Sequence, residues 1–189
     1  MDLDLIRKEI DKTDQQIKEL LIKRMACSHQ VAQSKLESGN LTIYRADREA
    51  SILETLGSQV EEEIRPEYLA VVKKVMEASR MYQYGLIYDW CDDAFSQVNG
   101  HELVSKPGYA VKVRVTRENK PNAMSAILSM IGDHGFNMDR MTPVQTEKDS
   151  PTVTFDLVIS GNAFEEDMKK LLFQLSGETL EFAITENLV

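Results

Sequence analysis

Arg24 and Lys35 stand in the apolar stripe of a long helical stretch, at positions where Leu, Ile or Ala would be expected. Steps of three and four along it give Ile10, Asp14, Ile17, Leu21, Arg24, Ser28, Val31 and Lys35. Eleven residues of α-helix amount to about 20° of net rotation and ~16 Å of rise, so the two cations share a face. A buried, unpaired cation costs several kcal/mol and calls for an anion, either a protein carboxylate or a ligand. The pattern returns in the stripe Leu69, Val72, Met76, Ser79, Gln83 and Leu86, which again carries two polar residues. Arg7 lies on the first stretch but points roughly 100° away from Arg24. One helix therefore cannot aim Arg7, Arg24 and Lys35 at one small ligand, whereas in an antiparallel pair Arg7 of one chain reaches the pocket of the other. Arg48 and Glu49, with Ser79 and Gln83, complete a wall of several cations, a few donors and one carboxylate. Such a wall suits a compact dianion.

The reaction class follows from what accompanies these residues. No Cys–His or Ser–His pair, carboxylate dyad or glycine-rich phosphate loop is legible, and His29, His101 and His134 are scattered without metal-ligand spacing. Neither a metal nor a cofactor is expected. Fixed cations and donors can still catalyse a reaction that needs no protein nucleophile, by holding the substrate in a reactive shape and stabilising charge that develops in the transition state. The alternative is a purely structural bundle, in which Arg24 and Lys35 pair with Asp14 or Glu49.

The elements that must position these groups are readable from periodicity. From Leu3 to about Leu36 there is neither Pro nor Gly, which predicts a helix roughly 50 Å long, more than a compact monomer of this size accommodates. Glu37-Ser38-Gly39-Asn40 stops it. A second helix is expected over Arg45–Leu56, and a third from Pro66, in its first turn, to about Tyr88. Residues 1–88 then form a three-helix all-α domain, and the acidic stretch 89–108 a linker. After it the period changes to two. Strands are expected at 109–116, 136–144, 152–160 and 179–187, and helices at 121–131 and 163–175, with a turn over 147–151. The order βαββαβ predicts an α+β domain over 109–189, an antiparallel sheet with two helices on one face.

Composition limits the partners. The 189 residues have 42% apolar content and a formal net charge of -9, which argues against nucleic acid. No apolar run of ~18 residues exists to span a membrane, and the amino terminus lacks a secretory layout. Cys27 and Cys91 are expected as reduced thiols of a cytoplasmic protein.

Residues 3–86 resemble the all-helical chorismate mutase family. The carrying pattern is Arg7, Asp14, Leu20-Leu21-x-x-Arg24, Val31-Ala32-x-x-Lys35, Arg48-Glu49 and Ser79-x-x-x-Gln83. The resemblance implies an intertwined helical homodimer that rearranges chorismate to prephenate in the cytoplasm. It implies that Arg24 and the partner chain's Arg7 bind the two carboxylates and that Arg48 shapes the pocket. Lys35 and Gln83 would donate to the ether oxygen, Glu49 would accept from the hydroxyl, and Ser79 would make a minor contact. The chain has Arg45 where the family often has an aspartate that contacts the hydroxyl, which leaves that contact to Glu49. Two other readings stand beside this one: a non-catalytic regulatory protein with a helical dimerisation arm, and an isochorismate-pyruvate lyase on a similar scaffold.

Residues 109–188 resemble the ACT-type regulatory domain, on Asn119-Lys120-Pro121-Asn122-Ala123-Met124-Ser125-Ala126-Ile127-Leu128 and Gly135-Phe136-Asn137-Met138. The resemblance implies an amino-acid effector, phenylalanine or tyrosine, at the turn Asn122, Ala123 and Met124, where open N–H groups at a helix start would receive its carboxylate. Most members have Gly where this chain has Asn122, and some such domains serve only as dimerisation modules.

Overall fold

The computed structural model describes residues 2–121, 123–144 and 149–189. The chain divides into two compact units, Met1–Leu86 and Ile87–Val189. The first holds α1 (Leu3–Ser38), α2 (Ala46–Gly57) and α3 (Arg65–Trp90) up to Leu86. Among the described residues no helix is long and apolar enough to cross a membrane.

α1 starts where the Asp2 carboxylate accepts from the Asp4 N–H at 3.0 Å. It ends in a left-handed Gly39 at φ 69°, with Gly39 and Asn40 N–H groups donating to the Leu36 and Lys35 carbonyls at 3.1 Å. A side chain is strained in that conformation, so the glycine sets the stop directly after Ser38, one turn beyond Lys35. Along the 36 residues of α1 only Ser28 and Ala32 are buried. The apolar residues before them lie open, with Ile17 54% and Leu20 66% exposed. At ~25 cal/mol per Å² this stripe is a large unclaimed gain. The buried part of this unit is small and unusually polar: Ala32, Ile43, Met76 and Tyr84, with Ser28, Ser79, Arg80 and Gln83.

The second unit contains β1 (Ala110–Glu118), α4 (Ala123–Asp133), β2 (Asn137–Pro143), β3 (Thr152–Ser160), α5 (Glu166–Glu178) and β4 (Glu181–Leu188). The expected βαββαβ order is present, in an antiparallel sheet of order β2-β3-β1-β4. Alternation in β1 sends Val111, Val113 and Val115 into a core shared with Leu157 and Ile159 of β3, Ile127 and Ile131 of α4, and Leu171 and Leu175 of α5. α5 starts three residues later than its apolar pattern predicts, because the Asn162 side chain accepts the Phe164 N–H at 3.0 Å and holds a turn there. It also runs past the expected end at 175, through Gly177 to Glu178. Of the turn expected at 147–151, residues 147 and 148 lie outside the described residues.

The acidic stretch 89–108 is not a free tether. It forms short 3-10 turns at Ala94–Gln97 and His101–Leu103 and buries Ala94, Val98 and Val104. The Ile184 N–H donates to the Asn99 carbonyl at 2.9 Å, which ties the segment to β4. Its charges lie outward, and its few apolar residues are enough to fold it onto the sheet.

Candidate active site

α1, α2 and α3 enclose a cavity of about 590 Å³ lined by Arg24, Lys35, Arg45, Arg48, Glu49, Ser79, Arg80 and Gln83. Its apolar walls include Ile43, Ile52, Val72, Val75 and Met76. Six of the residues expected to act together, Arg24, Lys35, Arg48, Glu49, Ser79 and Gln83, therefore meet in one concavity. The helical period explains how: Arg24, Ser28, Val31 and Lys35 come from one face of α1, and Val72, Val75, Met76, Ser79 and Gln83 from one face of α3.

The polar groups are tied to one another across the helices. Arg24 Nη1 donates to the Ser79 hydroxyl, and to the Val75 carbonyl at 3.4 Å. Ser28 Oγ lies 3.2 Å from Ser79 Oγ and 3.2 Å from the Arg24 carbonyl. Gln83 Nε2 donates to the Ser79 carbonyl at 3.1 Å. Lys35 Nζ donates to the Thr42 carbonyl in the loop after α1. Burial, then the neighbouring charges of Arg45 and Arg48, hold the Lys35 ammonium below its ordinary range. Among the described residues no carboxylate pairs with Lys35, and such an arrangement favours an incoming anion.

Arg45 occupies the N-cap of α2 without making a capping bond. Its Nε and Nη2 donate instead to the two Asp47 carboxylate oxygens at 3.0 and 2.7 Å. This fork pulls the exposed Asp47 carboxyl down to about 2. The chain thus has an acid near the expected place, but Arg45 neutralises it outside the cavity lining.

Arg80 is the lining residue that the periodic reading passed over. It sits at the edge of the stripe, 100° from Ser79 but 40° from Met76, and its side chain is only 11% exposed. Nη1 donates to Glu49 Oε1 across α2 and α3, and the guanidinium lies 5.0 Å from the Tyr44 ring centre. The one signal for it was an opposite charge, Glu49, on the neighbouring amphipathic helix.

Arg7 is absent from this cavity. Its side chain is 66% exposed and pairs with Asp4 at 3.4 Å, more than four turns from Arg24, the nearest lining residue of its own helix. Asp14 makes no contribution to the lining either. In the second unit, Asn122 lies outside the described residues. Ala123 is buried at the start of α4, and its N–H already donates to the Lys120 carbonyl at 3.1 Å. That donor is therefore not open to a carboxylate, contrary to the expectation for this turn; Met124 beside it is half-buried.

A family model described as chorismate mutase type II matches residues 6–84, a span that holds the whole cavity lining. Residues 6–84 are thus a chorismate mutase type II domain, of a family of isomerases. No curated protein matches the chain. A solved structure described as "GqqA- a novel type of quorum quenching acylases" is 20% identical, with a TM-score of 0.39, over 44% of this chain and 31% of that one. The chain spans under a third of that protein's matched structure, and the likeness carries no weight for activity.

Proposed function

We propose that the chain is a homodimeric chorismate mutase that converts chorismate to prephenate, with an intersubunit site. The observation that carries this reading is the single cavity lined by Arg24, Lys35, Arg48, Glu49, Ser79 and Gln83 inside the matched domain. Arg24 binds a substrate carboxylate, and Arg48 shapes the pocket. Arg7 joins them from the partner chain, which the open stripe of α1 would bring into place by burying Ile10, Ile17 and Leu21 between two copies. The reaction breaks one C–O bond and forms one C–C bond within a single molecule, so no atom is gained or lost. Lys35 Nζ and Gln83 Nε2 turn from their backbone carbonyls to the ether oxygen, where negative charge grows as the bond opens. Glu49 accepts from the substrate hydroxyl. Apolar walls keep water from screening these charges.

The second unit, in this reading, is an ACT-type module through which phenylalanine or tyrosine regulates turnover. Its βαββαβ order and antiparallel sheet support that assignment, and the occupied Ala123 N–H moves the expected contact toward neighbouring groups. Calorimetry with each amino acid on the full chain tests this part; absence of heat together with unchanged turnover removes it.

For the reaction, chorismate loss and product identity decide. Prephenate formed by the wild type, and lost in Arg24→Ala and Lys35→Ala, supports the mutase. Salicylate plus pyruvate from isochorismate would make it a lyase. A wild-type rate equal to the uncatalysed one would leave a non-catalytic regulatory protein, the reading that Arg45 favours by adding a cation where a hydroxyl acceptor was expected.

A further inference from the structure

We propose that Arg80 is a positioning residue for this reaction, holding the Glu49 carboxylate at the cavity wall as a fixed acceptor for the substrate hydroxyl. The inference rests on the mutase reading above. Glu49 lies in the first turn of α2, and its side chain retains 25% of its exposure. A glutamate there has three rotatable bonds, and the helix backbone restricts mainly the first of them. Arg80 supplies the choice from α3, 31 residues away, by donating to Oε1. Tyr44, just before α2, places its ring against the same guanidinium at 5.0 Å. The planar cation is thus gripped by a carboxylate and by an aromatic face, a pairing that a lysine ammonium reproduces poorly.

Charge gives this pairing a second consequence. Packing alone would be served as well by an apolar side chain of similar volume, since a buried ion pair seldom stabilises a fold more than a hydrophobic replacement does. Within the cavity, however, the pair makes its patch of wall close to neutral. Arg24, Lys35 and Arg48 remain to attract the carboxylates. A dianion is then drawn toward those cations, and its hydroxyl is left to face Glu49. Without Arg80, Glu49 would repel the substrate as a mobile anion; without Glu49, Arg80 would compete for its carboxylates.

The test uses the full chain, with Arg80→Met, Arg80→Lys, Glu49→Gln and the double variant Glu49→Gln/Arg80→Met, each assayed for prephenate and for thermal melting. A misplaced acceptor predicts kcat down ~100-fold in Arg80→Met with KM changed far less. Arg80→Lys recovers part of the loss. The double variant is no slower than Glu49→Gln alone, because Arg80 acts through Glu49. Wild-type kcat in Arg80→Met, or fully additive losses in the double variant, overturns the proposal. If Arg80→Met fails to melt cooperatively, Arg80→Lys decides: unchanged kcat overturns the proposal, and a lowered kcat at unchanged melting temperature upholds it. A wild type that forms no prephenate sinks both this inference and the mutase reading; a wild type that does, with Arg80 variants matching it, sinks this inference alone.

Discussion

Arg24 of α1 donates to the Ser79 hydroxyl of α3, joining two residues 55 positions apart in the cavity lining. Ser79 also lies 3.2 Å from Ser28 Oγ, so one hydroxyl links both helices and orients the guanidinium. Ser79→Ala should therefore release Arg24 rather than remove it. A lost hydrogen bond to a charged group is worth about 2 kcal/mol, or ~30-fold in kcat/KM. Arg24→Ala, which deletes the cation itself, should cost ~100-fold or more. Steady-state kinetics on both variants checks the order; a larger loss for Ser79→Ala would contradict it.

Lys35 predicts the alkaline behaviour. Its ammonium must be protonated to donate, and burial with Arg45 and Arg48 nearby holds its pKa below the ordinary 10.5. The kcat/KM profile, which reports the free enzyme, should fall as pH rises through that lowered value. Arg45→Ala removes one like charge and should move the limb upward. Between the folded and unfolded values the folded chain binds fewer protons than the unfolded one, so Lys35 makes stability rise with pH where activity falls. An unmoved limb in Arg45→Ala would refute the assignment.

The exposed position of Arg7 allows a mixing experiment. If Arg7 serves the partner's cavity, Arg7→Ala and Lys35→Ala dimers are each inactive. Refolding the two together at equal amounts places one intact site in each mixed dimer, so about a quarter of wild-type activity should return. Recovery to nothing would mean that Arg7 acts in its own chain, and an Arg7→Ala dimer that is active by itself would mean that Arg7 does not act at all.

Asp156 on β3 sets an acid-side prediction for the second unit. Arg114 Nε and Nη2 donate to its oxygens at 2.7 and 3.0 Å, and this fork, reinforced by Lys112, holds the carboxyl below its ordinary value. The stability it contributes is fully present above the unfolded value near 3.8 and is lost as pH falls through the lower folded value. Asp156→Asn should flatten this part of a denaturation-midpoint curve taken below about pH 4. A curve as steep as the wild type's would assign the acid sensitivity elsewhere.

Much of this was legible in the linear chain because helical period encodes a face. The Arg24–Lys35 stripe, the stop at Gly39 and the switch to strand alternation at 109 each depend on neighbours within a few residues. Six residues that line one cavity, drawn from three helices, could thus be named together. The partner of a side chain on another element leaves no such periodic trace. Arg80 borders its stripe, four residues after Met76, but nothing near it in sequence signals Glu49 as its partner. Asp47 stands close to the expected acid, but the Arg45 fork that occupies it depends on how the chain enters α2. The acidic stretch at 89–108 has the composition of a linker, and only the sheet beneath it gives Ala94, Val98 and Val104 a surface to bury against. Periodicity places residues on faces, and packing in three dimensions assigns the partners that set charge, orientation and reach.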